Sequence, residues 1–146
     1  MLRGNYFITF DEKGRFKLPA ELRAYIEGKW GNAFYITSLD GYEIKIYPLP
    51  VWEEIERKLE KSPSMNPAII KFTDLTSYYG RSTAFDGQGR TLIHPLLRQS
   101  AGLDGEAVVL GKHNHLTLWN RQRFEEQRVG AHLTAEERQV LADMGF

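Results

Sequence analysis

Two arginines in this chain occupy the same local setting. Asp11-Glu12-Lys13-Gly14-Arg15 and Asp86-Gly87-Gln88-Gly89-Arg90 each place an arginine one residue past the glycine of an Asp-x-x-Gly segment. Asp11, Gly14, Asp86 and Gly89 suit tight turns, the aspartate at the first position and the glycine where φ must be positive. Turn geometry does not call for arginine at the next position. A guanidinium is a planar fork of donors that matches guanine edges and phosphate oxygens, which a lysine ammonium does not. Arg15 and Arg90 are therefore candidate base or phosphate contacts. In the first copy Arg3, Lys13 and Lys17 form a local basic cluster with Arg15 and are candidate phosphate contacts. The second copy has only Arg90 between Gln88 and Thr91, so the first is expected to bind more strongly.

Other chemistries find less support. His113-Asn114-His115 could point two imidazoles to one side of a strand, but zinc would need further ligands, such as His94, His132 or a carboxylate. The pair also fits the tip of a hairpin. The 146 residues contain no cysteine, which excludes a disulfide framework, a thiolate metal site and a cysteine nucleophile. Phosphate-cradling glycine loops of the P-loop or dinucleotide type are absent. No enzymatic activity, metal or cofactor is expected. Nineteen basic residues balance 19 acidic ones, so any attraction to a polyanion must be local rather than a property of the whole chain. Hydrophobic residues make up 42% and charged residues 26%, a globular composition for about one ordinary domain or two very small ones. No apolar run approaches a membrane span, and the polar start Arg3-Gly4-Asn5 gives no signal-peptide core, so a cytoplasmic protein is expected.

The two turns belong to a longer internal repeat. Asp11 to Leu18 aligns with Asp86 to Ile93 at an offset of 75, and Leu22-Arg23 aligns with Leu97-Arg98 at the same offset. Ile44 to Tyr47 then matches Leu116 to Trp119, and Trp52-Glu53-Glu54 matches Phe124-Glu125-Glu126, at an offset of 72. Matching features kept in one order indicate a tandem duplication. In each copy a strand (Tyr6 to Phe10, Ser82 to Phe85) enters the turn and a returning strand leaves it (Arg15 to Leu18, Arg90 to Ile93), as in a tight hairpin. Pro19 or Pro95 can open a short helix, with Leu22 and Ile26, or Leu97 and Ala101, on its apolar face. A second hairpin follows: Phe34 to Thr37 with Ile44 to Tyr47, and Val108 to Leu110 with Leu116 to Trp119. Val51 to Lys61 and Ala68 to Tyr79 read as helices between the copies, and Thr134-Ala135-Glu136-Glu137 as a capping box opening a last one. Trp52, Phe124, Tyr47 and Trp119 are read as packing aromatics. The expected division is 5–50 for the first repeat, 51–80 for a helical connector, 81–124 for the second repeat and 125–146 for a helical tail. Each copy is too small to cover its own apolar face, so the two should interleave into one core.

The turn-arginine pattern resembles the DxxxR motif of the MraZ family, with AbrB-like regulators as more distant relatives. The likeness covers Met1-Leu2-Arg3-Gly4, Asp11–Arg15 with Leu18-Pro19 and Leu22-Arg23, Tyr47-Pro48, and Trp52-Glu53-Glu54. It continues through Asp86–Arg90, Leu97-Arg98, Ala101-Gly102-Leu103 and Trp119. His94 stands where the family pattern has proline, with Pro95 next, and Lys71 where arginine is usual. The resemblance implies an α+β fold of two tandem AbrB-like swapped-hairpin half-barrel repeats, with interleaved and C-terminal helices. It implies a cytoplasmic, nucleoid-associated transcriptional regulator, expected to be a repressor. Such a protein binds direct repeats in double-stranded DNA upstream of division and cell-wall genes and assembles as a homo-oligomeric ring. Swapped-hairpin relatives also include antitoxins that hold a toxin through an extended tail. The short, helix-patterned segment after Trp119 favours a regulator.

Overall fold

Prolines and turn residues set the element boundaries. The computed structural model describes all residues, Met1–Phe146. The first half contains β1 (Asn5–Ile8), β2 (Arg15–Lys17), α1 (Ala20–Trp30), β3 (Ala33–Ser38) and β4 (Ile44–Pro48). Next come α2 (Leu49–Glu60) and α3 (Pro67–Tyr78). The second half repeats the order with β5 (Arg81–Ala84), β6 (Arg90–Leu92), α4 (Pro95–Ser100), β7 (Ala107–Lys112) and β8 (His115–Asn120). The chain ends with α5 (Arg121–Phe124), a π-helical turn over Glu125–Val129, and α6 (Ala135–Asp143). The α+β class is as expected, and every strand pair is antiparallel.

Helix starts follow local chemistry. Pro19 immediately precedes α1, and α4 starts at Pro95 with His94 as its N-cap, so the missing proline at 94 does not move the helix. The Asn66 side chain accepts from Ala68 N at 2.9 Å to open α3, the helix expected over 68–79. Thr134 and Glu137 form the expected reciprocal capping box.

The strands make a six-stranded sheet in the order β1-β7-β8-β4-β3-β5 and a two-stranded ribbon, β2-β6. The hairpins β3–β4 and β7–β8 form as expected. The turns at Asp11 and Asp86 are a correction to the sequence reading: neither closes a hairpin. β1 pairs with β7 of the second half, β5 pairs with β3 of the first, and the two returning strands pair with each other. A local hairpin would leave an apolar face bare on each half. The exchange instead brings Ile8, Phe16, Leu22, Ile26, Phe34 and Ile36 from one half into a single 19-residue cluster with Ile93, Leu97, Ala107, Val109, Leu116 and Leu118 from the other.

Alternation gives the large sheet two faces. Phe34, Ile36, Ile44, Ile46, Leu116 and Leu118 point into that cluster. On the opposite face Tyr35 stacks on Trp52 with ring centroids 4.6 Å apart, and Trp119 meets Phe124 edge-on at 5.7 Å. The aligned aromatics therefore pack helices α2 and α5 against the sheet. The Thr76 carbonyl accepts from both Tyr35 Oη (2.9 Å) and Thr37 Oγ1 (2.8 Å), tying α3 to the same face. No helix is long and apolar enough to cross a membrane.

Candidate nucleic-acid interface

Each Asp-x-x-Gly-Arg turn is built from its own backbone. The Gly14 N–H donates to the Asp11 carbonyl at 3.0 Å, and Asp11 N–H to the Arg15 carbonyl at 2.9 Å. Asp11 Oδ1 accepts from the backbone N–H of Lys13 and of Arg15, both at 2.9 Å, and Oδ2 accepts from Arg15 Nε at 2.7 Å. Asp86 repeats the pattern with Gln88 N, Arg90 N and Arg90 Nε at the same three distances. Gly14 and Gly89 have φ of 80° and 75°, the left-handed conformation these turns require. The Arg90 backbone N–H, followed by its side chain and the Gln88 N–H, holds the Asp86 carboxyl down to about 2 against the opposing effect of desolvation. Asp11 is lowered in the same way, its Arg15 backbone hydrogen bond being the largest cause. Both carboxylates are thus ionised anchors at neutral pH.

The anchoring decides what the arginines offer. Each is held through Nε alone, and its Nη1 and Nη2 donors make no hydrogen bond within the protein. Both side chains are 25% exposed. In the β2–β6 ribbon Phe16 and Thr91 turn inward while Arg15, Lys17, Arg90 and Leu92 share the outer side. Register places Lys17 opposite Arg90, and Arg15 opposite Leu92. A shallow depression of about 330 Å³ beside the ribbon is lined by Arg15, Lys17 and Arg90 together with Asp11 and Phe16. The exchange of strands therefore unites the two arginines on one face, which sequence separation alone does not show.

Arg3 does not join them. Leu2 bridges to His113 at the far end of β7–β8, and β1 runs from there toward the turn, about 17 Å of extended chain. The basic cluster read from sequence thus reduces to Lys13, Arg15 and Lys17, with Arg90 added from the other half. Two arginines escaped the sequence reading. Arg98 lies over Gly14 and Arg23 over Gly89, so close that a Cβ on either glycine would overlap the guanidinium. Both glycines are buried as a result. The shared offset of 75 for the turns and for Leu22-Arg23 and Leu97-Arg98 was the available signal.

The histidines are dispersed. His113 sits at the β7–β8 tip with φ of 65°, His115 stacks on Tyr47 at 4.8 Å, and His94 is buried at the start of α4. No group of three or more His, Asp or Glu side chains is arranged to hold a metal.

The duplicated, strand-exchanged α+β chain thus gathers two anchored arginines on one shared ribbon. The chain belongs to the MraZ family, whose model, described as "MraZ protein, putative antitoxin-like", matches residues 1–74 and 81–142. This establishes the resemblance read from the turn motifs. A protein of Acidobacterium capsulatum named Transcriptional regulator MraZ is 44% identical over 146 residues, covering the whole of both chains. A relative of the same name from Koribacter versatilis is 40% identical over 147 residues, again across both full lengths. The one from Escherichia coli K12 is 36% identical over 130 residues, 87% of this chain and 84% of its own.

Proposed function

We propose that the protein is a transcriptional regulator that binds double-stranded DNA through the β2–β6 ribbon. The carrying observation is that Arg15 and Arg90 lie on one ribbon, each fixed by its aspartate with both Nη groups uncommitted. Fixing the fork before binding reduces the ordering cost of a bidentate contact to guanine or phosphate. Lys13 and Lys17 add phosphate contacts. A two-stranded ribbon fits the major groove in width. The exchange of β1 and β5 between halves supports the AbrB-like swapped-hairpin reading, and the repeated element order supports a division near 5–50, 51–80, 81–124 and 125–146.

A single ribbon offers few contacts and the chain is electrically neutral, so useful affinity requires many ribbons acting together. A homo-oligomeric ring facing spaced direct repeats meets that requirement. The exposed Ile70, Leu75 and Tyr78 of α3 offer apolar surface for assembly. Repression of division and cell-wall genes, and a place in the cytoplasm with the nucleoid, follow from the family reading. The relatives' name is not that of an enzyme, and no resident metal or cofactor is invoked. Genomic fragments retained by the purified protein at physiological salt should share a short motif repeated at fixed spacing. Retention in proportion to fragment length, with no shared motif, contradicts sequence-specific regulation.

A further inference from the structure

We propose that Arg98 and Arg23 are crossed positioning residues: Arg98 of the second half fixes the Asp11–Arg15 turn, and Arg23 of the first half fixes the Asp86–Arg90 turn. The inference rests on the DNA-binding reading of the turns and adds residues to that site.

The hydrogen bonds that shape the first turn are nearly all internal to residues 11–15, so they define its form and not its direction. Its direction is set by what holds it to the body of the protein. Beyond the β2–β6 ladder that starts at Arg15, two contacts from the second half do so: Ile93 N–H donates to the Gly14 carbonyl at 3.1 Å, and the Arg98 guanidinium covers the Gly14 α-carbon. Arg23 covers Gly89 in the same manner, although its helix has eleven residues and that of Arg98 six. Retention of the contact by two helices of unequal length singles it out from their general packing.

Neither arginine has a carboxylate partner or a side-chain hydrogen bond, and each guanidinium lies against the opposite turn's glycine. Arg98 also lines an open groove of about 680 Å³ beside Asp11 and Glu12. The planar group lies in the room that glycine leaves by lacking a side chain, and the recognition arginine is the very next residue. Each half thus presents its arginine at an angle the other half dictates.

Crossed dependence makes a crossed signature. In hydrogen exchange of the intact, DNA-free protein, Arg98→Ala should speed exchange at the turn amides of residues 11–15 and leave those of 86–90 unchanged, and Arg23→Ala should do the reverse. Because no DNA is present, this arm reports on the inference even if the ribbon proves not to bind DNA. With DNA, Arg98→Ala combined with Arg15→Ala should bind within about threefold of Arg15→Ala alone, since the second change removes what the first would misplace. Arg98→Ala combined with Arg90→Ala should show the product of the two single losses. Arg98→Lys keeps the charge without the planar cover and should retain the exchange defect. Exchange that is unchanged, or raised in both turns alike, overturns the assignment. So does a multiplied loss for the Arg15 pair, which would make Arg98 an independent contact. Failure of Arg15→Ala itself to weaken binding would instead refute the DNA reading.

Discussion

In the first turn Asp11 holds Arg15 Nε at 2.7 Å, and in the second Asp86 holds Arg90 at the same distance, although the segments share only Asp, Gly and Arg. Their surroundings diverge. Lys13 and Lys17 accompany the first, Gln88 and Leu92 the second. The helix behind the first turn is six residues long and leaves an open groove, while that behind the second has eleven. Three residue types therefore suffice to shape the turn, and everything around them is free to set its charge and support. The ribbon also reduces the asymmetry that sequence suggests. Lys17 lies two residues beyond Arg15 in the chain yet stands opposite Arg90 in the ladder, so it neighbours both arginines and only Lys13 is private to the first turn.

The largest expected effect removes both turns' contribution at once. Arg15→Ala with Arg90→Ala should lower operator affinity by about a hundredfold or more, because the loss is multiplied across linked sites. The oligomer should remain intact by sedimentation. A parent protein found only as monomer at micromolar concentration would remove the avidity on which that figure depends.

Glycine substitutions compare covered and open positions. Gly14→Ala must adopt positive φ and displace Arg98, whereas Gly4→Ala shares the φ of about 80° but has nothing within 4 Å of the new methyl. The φ strain alone costs about 1–2 kcal/mol. Denaturant titration should therefore show Gly14→Ala as the more destabilised of the two. Equal losses would mean that the Arg98 cover has no energetic weight.

Much of this was legible from short patterns. Pro19, Pro95 and the Thr134 capping box fixed helix starts, and alternation around Asp40-Gly41 and His113-Asn114 fixed two hairpins. These signals are local. The partner of β2 is not local: a three-residue strand after a good turn reads the same whether it folds back on β1 or crosses to β6. The same limit hid Arg98 and Arg23, whose contacts lie across the repeat, and it made Arg3 look closer to Arg15 than β1 allows.

Smaller effects should separate the lysines. Lys17→Ala should weaken binding roughly uniformly across operator sequences and reduce the salt dependence by about one counterion per ribbon. Lys13→Ala should do so less if its exposed side chain is only a rim contact. A Lys17→Ala protein that keeps the parent's salt slope would place the DNA elsewhere.

Acid should act on the protein in two stages. Burial, reinforced by Lys45, lowers His115 to about 4, so the folded state resists protonation and stability declines as pH falls from about 6.5 toward 4. The depressed Asp86 carboxyl stabilises the fold above about 4, and that contribution is lost as pH falls toward about 2. Melting temperatures followed across both ranges should decline in each, and His115→Phe should reduce only the first, the remainder belonging to His94, which burial also lowers. A first-stage decline left undiminished by this substitution would assign the whole of it to another group.

The central claim is tested most directly by titrating an operator fragment with Arg15→Ala and Arg90→Ala separately, each confirmed to keep the parent's oligomeric state. Both should lose most specific binding, Arg15→Ala the more for want of the contact beside Lys13, and both should keep the residual salt-dependent binding to unrelated DNA. If Arg15→Ala binds the operator as the parent does, the turns are structural and the ribbon is not the DNA-contact surface.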